Sequence, residues 1–191
     1  MKKQSISFKI IRLMGFNISE NEYSDVSIKF VIEKLYRVYI NGLIINYCMY
    51  SAILGQLNYR KIRPFLWRMM GAKIGKSVYI GSEVWVDIGN TKLVNIEDGV
   101  HIANRCFILC HQRDFKEYYV DSVYGDLPYV RKKVHLKKGC LLGSGVTILP
   151  GVTVGVGSII GAGSVVTKDI PDWSLALGNP AKVVRNIPQK K

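Results

Sequence analysis

An aliphatic residue returns at every sixth position through the second half of the chain. Counted from Ile74, twelve successive frames with two interruptions hold Ile74, Ile80, Val86, Ile96, Ile102, Ile108, Leu136, Leu142, Ile148, Val154, Ile160 and Val166. Four residues after each of these, the side chain is mostly small or β-branched. A six-residue period fits neither an α-helix nor an alternating strand. It is typical of a β-solenoid, in which each repeat forms a short strand and a corner.

Three repeats make eighteen residues, which is one triangular coil if each repeat forms one side. The pattern therefore predicts four coils, over 74–91, 96–113, 136–153 and 154–171. The first interruption adds 92–95 and the second adds 114–135, so that a loop excursion is expected over 112–135. Glycines after the aliphatic position, such as Gly75, are expected to supply the φ > 0 conformations of corners. A β-sandwich is disfavoured, because a period of two would not keep every sixth position aliphatic.

Residues 1–73 are expected to form an N-terminal arm and a helical segment, and residues 172–191 a basic tail. The net charge of the chain is +13, which favours acidic partners. No recognised nucleic-acid-binding motif accompanies the charge, so nucleic acid is not expected as a partner. The stretch from Val38 to Tyr59 has no charged residue. It is interpreted first as helices packed on the solenoid, second as an interfacial membrane contact, and last as a membrane span.

Basic and aromatic residues follow this stretch. Arg60, Lys61, Arg63 and Arg68 surround Phe65 and Trp67, a composition suited to a headgroup boundary. Peripheral membrane contact through residues 25–70 is therefore the second hypothesis for this region. No secretory leader pattern is seen, so the expected location is the cytoplasm, with the inner membrane face as an extension.

The C-terminal half resembles the hexapeptide-repeat acyltransferases. The resemblance is carried by 142–155 (LGSGVTILPGVTVG), 160–171 (IGAGSVVTKDIP) and 178–182 (GNPAK). It extends over about residues 61–187 and is greatest to the maltose and galactoside acetyltransferases and to capsule and exopolysaccharide O-acetyltransferases. The resemblance implies a mainly β fold, a left-handed parallel β-helix of about four triangular coils. It also implies a homotrimer and acetyl-CoA as the acyl donor.

Histidine is the natural base for acetyl transfer, and the chain has His101, His111 and His135. His111 opens the loop excursion, where the family carries its catalytic histidine. Asp87 stands one coil earlier, where members of the family have Asn or Asp facing the pocket. It would orient His111 or bind the acceptor, or it is an ordinary corner acid. Cys110 is interpreted as a packing residue, because no second histidine or acid is placed to activate it.

The resemblance also assigns cofactor contacts, residue by residue. Those expected to line the CoA groove or to approach its phosphates are Ser144, Ala162, Thr167, Lys168, Lys182 and Arg185. Leu141 departs from the pattern, since many members have Trp there. No metal site is expected: the four cysteines show no metal-site spacing, and the three histidines are not spaced like the ligands of a γ-carbonic anhydrase.

The sequence therefore predicts an acetyl-CoA-dependent O-acetyltransferase. The expected acceptor is a sugar hydroxyl of a surface polysaccharide or its precursor, with His111 as general base. An N-acetyltransferase of an amino sugar and a non-catalytic membrane-docking solenoid are the alternatives. Aromatic residues in the excursion suit a sugar acceptor or a contact that clasps the neighbouring protomer.

Overall fold

The computed structural model describes residues 4–13, 15, 23–51 and 53–189. By their internal contacts the residues form two units, one of 1–40 with 113–130 and one of 41–112 with 131–191. The sequence-based division at residues 73 and 171 is a different one and stays a prediction.

The second unit is built on a triangular solenoid of two- and three-residue strands. The first coil has β1 (Lys73–Ile74), β2 (Tyr79–Ile80) and β3 (Trp85–Val86), and the second has β4 (Val94–Ile96), β5 (His101–Ile102) and β6 (Phe107–Ile108). After β7 (His111–Arg113) and β8 (Tyr129–Arg131), which form a two-stranded sheet, the third coil has β9 (Val134–Leu136), β10 (Leu141–Leu142) and β11 (Thr147–Ile148). The fourth has β12 (Thr153–Val154), β13 (Ile159–Ile160) and β14 (Val165–Val166).

Each side of the solenoid is a parallel sheet. Sheet A has the order β1-β4-β9-β12, sheet B contains β13-β10-β5-β2, and sheet C has the order β14-β11-β6-β3. The register pairs Ile74 with Ile96, Ile96 with Leu136, and Leu136 with Val154. Each of these residues was predicted to open a coil, so the predicted fold and frame are confirmed.

The repeat places its apolar side chains inside the triangle. Eleven of the twelve aliphatic positions are fully buried, and Ile74 in the outermost coil is half-buried. The small residues four positions later are buried as well, among them Cys106, Cys140 and Ser158. Because both series point inward on every side, stacking the coils makes one continuous core.

Corner glycines three residues after the aliphatic position, such as Gly99 and Gly139, supply the predicted φ > 0, whereas those directly after it do a different job. Gly75 and Gly155, directly after the aliphatic position, are absent from the residues with positive φ. A Cβ on Gly155 would lie 2.4 Å from the Asp172 backbone nitrogen, so this position needs glycine for the close approach of the next turn. The left-handed position lies three residues after the aliphatic residue, where non-glycine residues such as Glu83 and Arg105 also have positive φ.

The first coil is closed by a helical segment, a π-helix over Asn58–Ile62 that continues into α3. Counted in chain order, α1 is Ile6–Leu13, α2 is Ile28–Tyr50 and α3 is Arg63–Met69. Trp67 is completely buried against the solenoid core. Arg68 donates from Nε and Nη2 to the carbonyls of Ile74 and Gly75, at 2.9 and 2.6 Å.

Arg63 corrects one part of the sequence interpretation. It was grouped with the basic residues of a membrane boundary, yet it is fully buried. Its guanidinium donates to the carbonyls of Ile80, Gly81 and Ser51, and burial lowers its pKa. The Ile80 and Gly81 carbonyls belong to the first coil, below which no further coil lies, and Ser51 directly follows α2; Arg63 therefore caps this end of the solenoid.

The other end of the solenoid extends beyond residue 171. The expected tail contains β15 (Ser174–Gly178), parallel to β13, and β16 (Ala181–Asn186), antiparallel to β15. Ser158 Oγ donates to the carbonyl of Pro171 at 2.6 Å and accepts from Ser174 N–H at 3.0 Å. Inward hydroxyls thus tie the last coil to the terminal strands, where apolar stacking ends. Lys190 and Lys191 lie outside the described residues.

The first unit contains α1, the start of α2 and the excursion. Ser5 and Ser27 cap α1 and α2 by accepting the N–H groups of Phe8 and Phe30, both at 3.2 Å. In the excursion, the Arg113 guanidinium lies 3.9 Å from the centre of the Tyr129 ring and donates to the carbonyl of Leu127. Among the described helices, α2 included, none combines the length and the apolar character that a membrane span requires.

Candidate active site

The corner between sheets C and A, called the C/A corner, brings Asp87 and His111 together. Asp87 follows β3 and His111 comes three residues after β6, and these strands are neighbours in sheet C. Val86 pairs with Ile108, and the Asp87 N–H donates to the Ile108 carbonyl at 3.2 Å. The two side chains are 24 positions apart in sequence, and the stacking of coils makes them neighbours.

The His111 Nδ1 and the Asp87 Oδ2 form a direct hydrogen bond. The carboxylate side chain of Asp87 is only 6% exposed, whereas the imidazole of His111 is 40% exposed. When Nδ1–H donates to the carboxylate, the neutral ring carries its lone pair on Nε2. A carboxylate behind a solvent-accessible imidazole is the arrangement that orients a histidine as a base and stabilises the imidazolium it becomes.

A third side chain, Asn90, completes the arrangement. Its Nδ2 donates to both carboxylate oxygens of Asp87, at 3.1 and 3.0 Å, and lies 3.4 Å from His111 Nδ1. Sequence reasoning missed Asn90. The available signal was the four-residue interruption of the first coil, which lies at this corner.

Cys110 directly precedes His111, but its chemistry is that of a core residue. The side chain is fully buried. Burial, together with the nearby Asp87 carboxylate, raises the pKa of the thiol to about 12. At neutral pH the group is therefore a thiol rather than the thiolate that a nucleophile requires. This fits its interpretation as a packing residue.

The other two histidines lie on the faces of the solenoid. His101, on β5 in sheet B, stacks on Tyr79 with 4.2 Å between ring centres. Burial and the Arg60 charge lower the pKa of His101. His135, on β9 in sheet A, has its Nε2 2.6 Å from Glu97 Oε1. Neither histidine shares a corner with Asp87.

The residues predicted to contact CoA fall into three places. Ser144 and Ala162 occupy the same corner, between sheets B and C, in adjacent coils; the Gly163 N–H donates to the Ser144 carbonyl at 2.8 Å. Thr167 and Lys168 lie at the C/A corner of the fourth coil, two coils from His111, or about 10 Å along the axis at the usual strand spacing. The residues on the terminal strand β16 are Lys182 and Arg185. All six side chains are exposed in the single chain.

Across 4–13, 15, 23–51 and 53–189, no group of three or more His, Cys, Asp or Glu side chains is placed to hold a metal ion. A surface depression of about 690 Å³ lies along sheet A, lined in part by Arg68, Asn95 and Lys138. It contains none of the predicted site residues.

Comparison with known proteins supports the repeat. Residues 133–168 match the family model described as bacterial transferase hexapeptide (six repeats). This segment lies in the third and fourth coils and includes neither Asp87 nor His111. No curated protein sequence matches the chain.

Solved structures match over much more of the chain. A maltose O-acetyltransferase from Clostridium difficile 630 superposes with a TM-score of 0.63 at 22% identity, covering 90% of this chain and 92% of that one. A hexapeptide-repeat containing acetyltransferase from Vibrio cholerae O1 biovar eltor, complexed with acetyl coenzyme A, gives 0.65 at 19% identity, covering 90% and 100%. The fold is that of the hexapeptide-repeat acetyltransferases. The predicted resemblance is confirmed at this level, and with it the left-handed parallel β-helix.

One further neighbour is AntD, an N-acyltransferase from Bacillus cereus in complex with dTDP and 3-hydroxybutyryl-CoA. It superposes with a TM-score of 0.53 at 23% identity over 60% of this chain. The match spans 62% of the length of AntD. Proteins with this fold thus include O- and N-acyltransferases, and the fold alone does not distinguish the acceptor.

Proposed function

We propose that this protein is an acetyl-CoA-dependent O-acetyltransferase that acts on a sugar hydroxyl, with His111 as general base. The observation that carries the proposal is the Asp87–His111 pair at the C/A corner of a hexapeptide solenoid. The acceptor class is a surface polysaccharide or its precursor. This finer assignment rests on the sequence resemblance to capsule and exopolysaccharide O-acetyltransferases.

The proposed reaction is direct transfer. Nε2 of His111 takes the proton of the acceptor hydroxyl as that oxygen attacks the thioester carbonyl of acetyl-CoA. Asp87 stabilises the imidazolium through its hydrogen bond to Nδ1. A backbone N–H stabilises the tetrahedral oxyanion, which collapses as the C–S bond breaks. The imidazolium returns its proton to the departing CoA thiolate, so that the products are an acetyl ester and CoA thiol.

The CoA groove is proposed to require a second protomer. Exposed positions on the outside of sheets B and C carry apolar side chains, including Phe107 and Ile159, which are 46% and 37% exposed in the single chain. Burial of these exposed apolar side chains between neighbouring solenoids favours a closed ring of three protomers. We expect Ser144, Ala162, Thr167, Lys168, Lys182 and Arg185 to line the groove this assembly completes. Sedimentation should give three times the chain mass of 21.5 kDa, and a fully active monomer would contradict the proposal.

Contact with the inner membrane face is a second part of the proposal. The first half of α2 exposes Ile32, Leu35 and Tyr36 at 61–67%, and the charged Lys34 and Arg37 are also exposed. Apolar and basic groups on one short helical stretch favour an anionic headgroup layer, at about 1 kcal/mol per basic residue near the surface. Within the wider region 25–70, Arg63 cannot contribute, because it is buried.

Vesicle flotation tests the membrane contact. The protein should float with anionic but not with zwitterionic vesicles, and salt should weaken the binding. Lys29, Lys34 and Arg37 changed together to Gln should abolish flotation. The matched control changes three exposed solenoid lysines, Lys92, Lys133 and Lys138, and should leave it intact. Protein that stays at the bottom with anionic vesicles at low salt would refute the contact.

The transfer itself is tested by following CoA thiol release from acetyl-CoA with a panel of sugar acceptors. The panel should contain neutral sugars and the matching amino sugars, so that it separates hydroxyl from amine acceptors. His111→Ala should lower turnover about 10²–10⁴-fold, while acetyl-CoA affinity by calorimetry changes little. His135→Ala is the matched control and should retain turnover. Failure to bind acetyl-CoA would favour a non-catalytic solenoid.

A further inference from the structure

The first coil carries four residues more than a regular coil. Ile74 pairs with Ile96, twenty-two positions on, whereas Leu136 pairs with Val154, eighteen positions on. Val86 pairs with Ile108 across sheet C, also twenty-two positions on. The offset is thus the same at Ile74 and at Val86, so the four extra residues come after Val86, between β3 and the end of β4. They form the C/A corner of the first coil, on which Asp87 stands.

A turn within this corner brings Asn90 back to Asp87. The Asn90 N–H donates to the Asp87 carbonyl at 3.0 Å, and a 3₁₀ turn over Thr91–Leu93 follows, with the Leu93 N–H on the Asn90 carbonyl at 2.8 Å. This places Asn90 Nδ2 at 3.1 and 3.0 Å from the two carboxylate oxygens of Asp87. The same turn closes regular repeats, as in the bonds from Cys140 N–H to the Lys137 carbonyl and from Val152 N–H to the Leu149 carbonyl. This corner differs in carrying Asn at the fourth position, where the uninterrupted repeats have small or apolar residues, and in the 3₁₀ turn that follows.

The corner is also anchored by the helical segments of the same unit. The Thr91 hydroxyl donates to the carbonyl of Met70, directly after α3. The Asn41 amide of α2 donates to the Ile88 carbonyl at 3.2 Å. Both side chains are buried. Two fixed points on either side of Asn90 leave the corner little freedom to rotate, and so the amide is held in place before any substrate binds.

We propose that Asn90 is a positioning residue for the Asp87–His111 pair. A carboxylate that is 6% exposed needs hydrogen-bond donors to stay charged. Two donors from Asn90 hold the plane of the carboxylate so that Oδ2 faces His111 Nδ1. That contact keeps the proton on Nδ1 and the lone pair on Nε2, because the hydrogen bond made by one ring nitrogen sets the tautomer of a histidine. The inference rests on the proposed role of His111 as base.

The first test is kinetic and uses Asn90→Ala beside Asn90→Asp. Removing the donors should lower kcat about 10–100-fold, the size expected for the loss of a hydrogen bond to a charged group. KM for acetyl-CoA should stay within about twofold, since Asn90 is not expected to contact the cofactor. Asn90→Asp keeps the shape but sets a second carboxylate against Asp87, and kcat should fall at least as far. The matched control is Asn95→Ala, on β4 of sheet A, which should retain kcat.

The second test reads the ring of His111 directly and needs no turnover. Long-range ¹H–¹⁵N spectra of the full-length protein at neutral pH should show the Nδ1–H tautomer in the parent and in Asn95→Ala. Asn90→Ala should shift the population toward Nε2–H. If the parent transfers no acetyl group but the tautomer responds, the positioning holds and only the proposed function fails.

Two results would overturn the inference. One is Asn90→Ala with the kcat and the tautomer of the parent. The other is an unchanged tautomer with a kcat that falls only in proportion to a lower melting temperature, which would make Asn90 a structural residue of the corner. Asn90→Asp, being isosteric, gives the same two readouts if the alanine variant does not fold.

Discussion

The Asp87→Asn variant separates two roles for Asp87. If Asp87 only contacts the acceptor, the amide should serve nearly as well, because Asn has the same shape and still offers an oxygen. If Asp87 orients and charges His111, the amide should fail. Asp87 lies between the Asn90 amide and His111 Nδ1, and that position decides how an asparagine would sit there.

The magnitude follows from these contacts. Asn90 Nδ2 is a donor, so the oxygen of Asn at position 87 would face Asn90 and its NH₂ would face His111. Nδ1 would then have to accept, which moves the ring proton to Nε2 and removes the base. Returning the proton to Nδ1 would set two donors against each other and leave a buried group unpaired, at a cost of about 1–3 kcal/mol. The imidazolium would also lose a charged partner worth about 1.5–3 kcal/mol. The sum, about 2.5–6 kcal/mol, corresponds to a loss of about 10²–10⁴-fold in turnover.

The assay is steady-state CoA release at saturating acetyl-CoA, with thermal melting to show that the variant folds. The double variant Asp87→Asn/His111→Ala should be no slower than His111→Ala, because the two residues act as one unit. Turnover of Asp87→Asn within about tenfold of the parent would refute the orienting role. So would a double variant in which the two losses simply add.

Three other outcomes are expected. Iodoacetamide should leave the folded protein unmodified even at pH 9 and react with four thiols per chain after unfolding, because burial raises the thiol pKa to about 11 for Cys48 and Cys106 and to about 12 for Cys110 and Cys140. Ser158→Ala should destabilise the fold by about 1–3 kcal/mol, visible as a lower melting temperature, since it leaves the Ser174 N–H and the Pro171 carbonyl without their hydroxyl partner. Gly155→Ala should lower the melting temperature more than Ser158→Ala does, because the added Cβ would overlap the backbone at Asp172. Alkylation of the native state, or melting curves equal to the parent, would contradict these expectations.

Part of the candidate site can be predicted from the sequence alone. His111 opens the only long interruption of the repeat, and Asp87 follows an inward aliphatic residue one coil earlier. Their hydrogen bond then follows from the register of sheet C. The four-residue interruption signals that this corner is irregular, but the six-residue period does not say that the Asn90 amide reaches the Asp87 carboxylate. The contacts of Asn41 with Ile88 and of Thr91 with Met70 hold the corner in that conformation.

Whether the charged and apolar residues outside the repeat are buried or exposed likewise depends on tertiary contacts. Arg63 and Arg68 look alike in sequence, yet one is buried on carbonyls at the end of the solenoid and the other is exposed beside it. The terminal strands after residue 171 escaped prediction because the six-residue aliphatic period stops at Val166, although β15 still pairs with β13 of the fourth coil and β16 pairs with β15.

The sequence by itself determined the solenoid, its four coils and their register. The reason is that this information is local and repeated: each inward aliphatic residue must be buried, and a slip by one residue would turn the whole set outward. The tertiary structure alone decided which carbonyls Arg63 caps and which donors hold Asp87. The contact of Asn41 with Ile88, which anchors the corner beside Asp87, joins positions 47 residues apart that share no period, and only the packed chain brings such positions within hydrogen-bond distance.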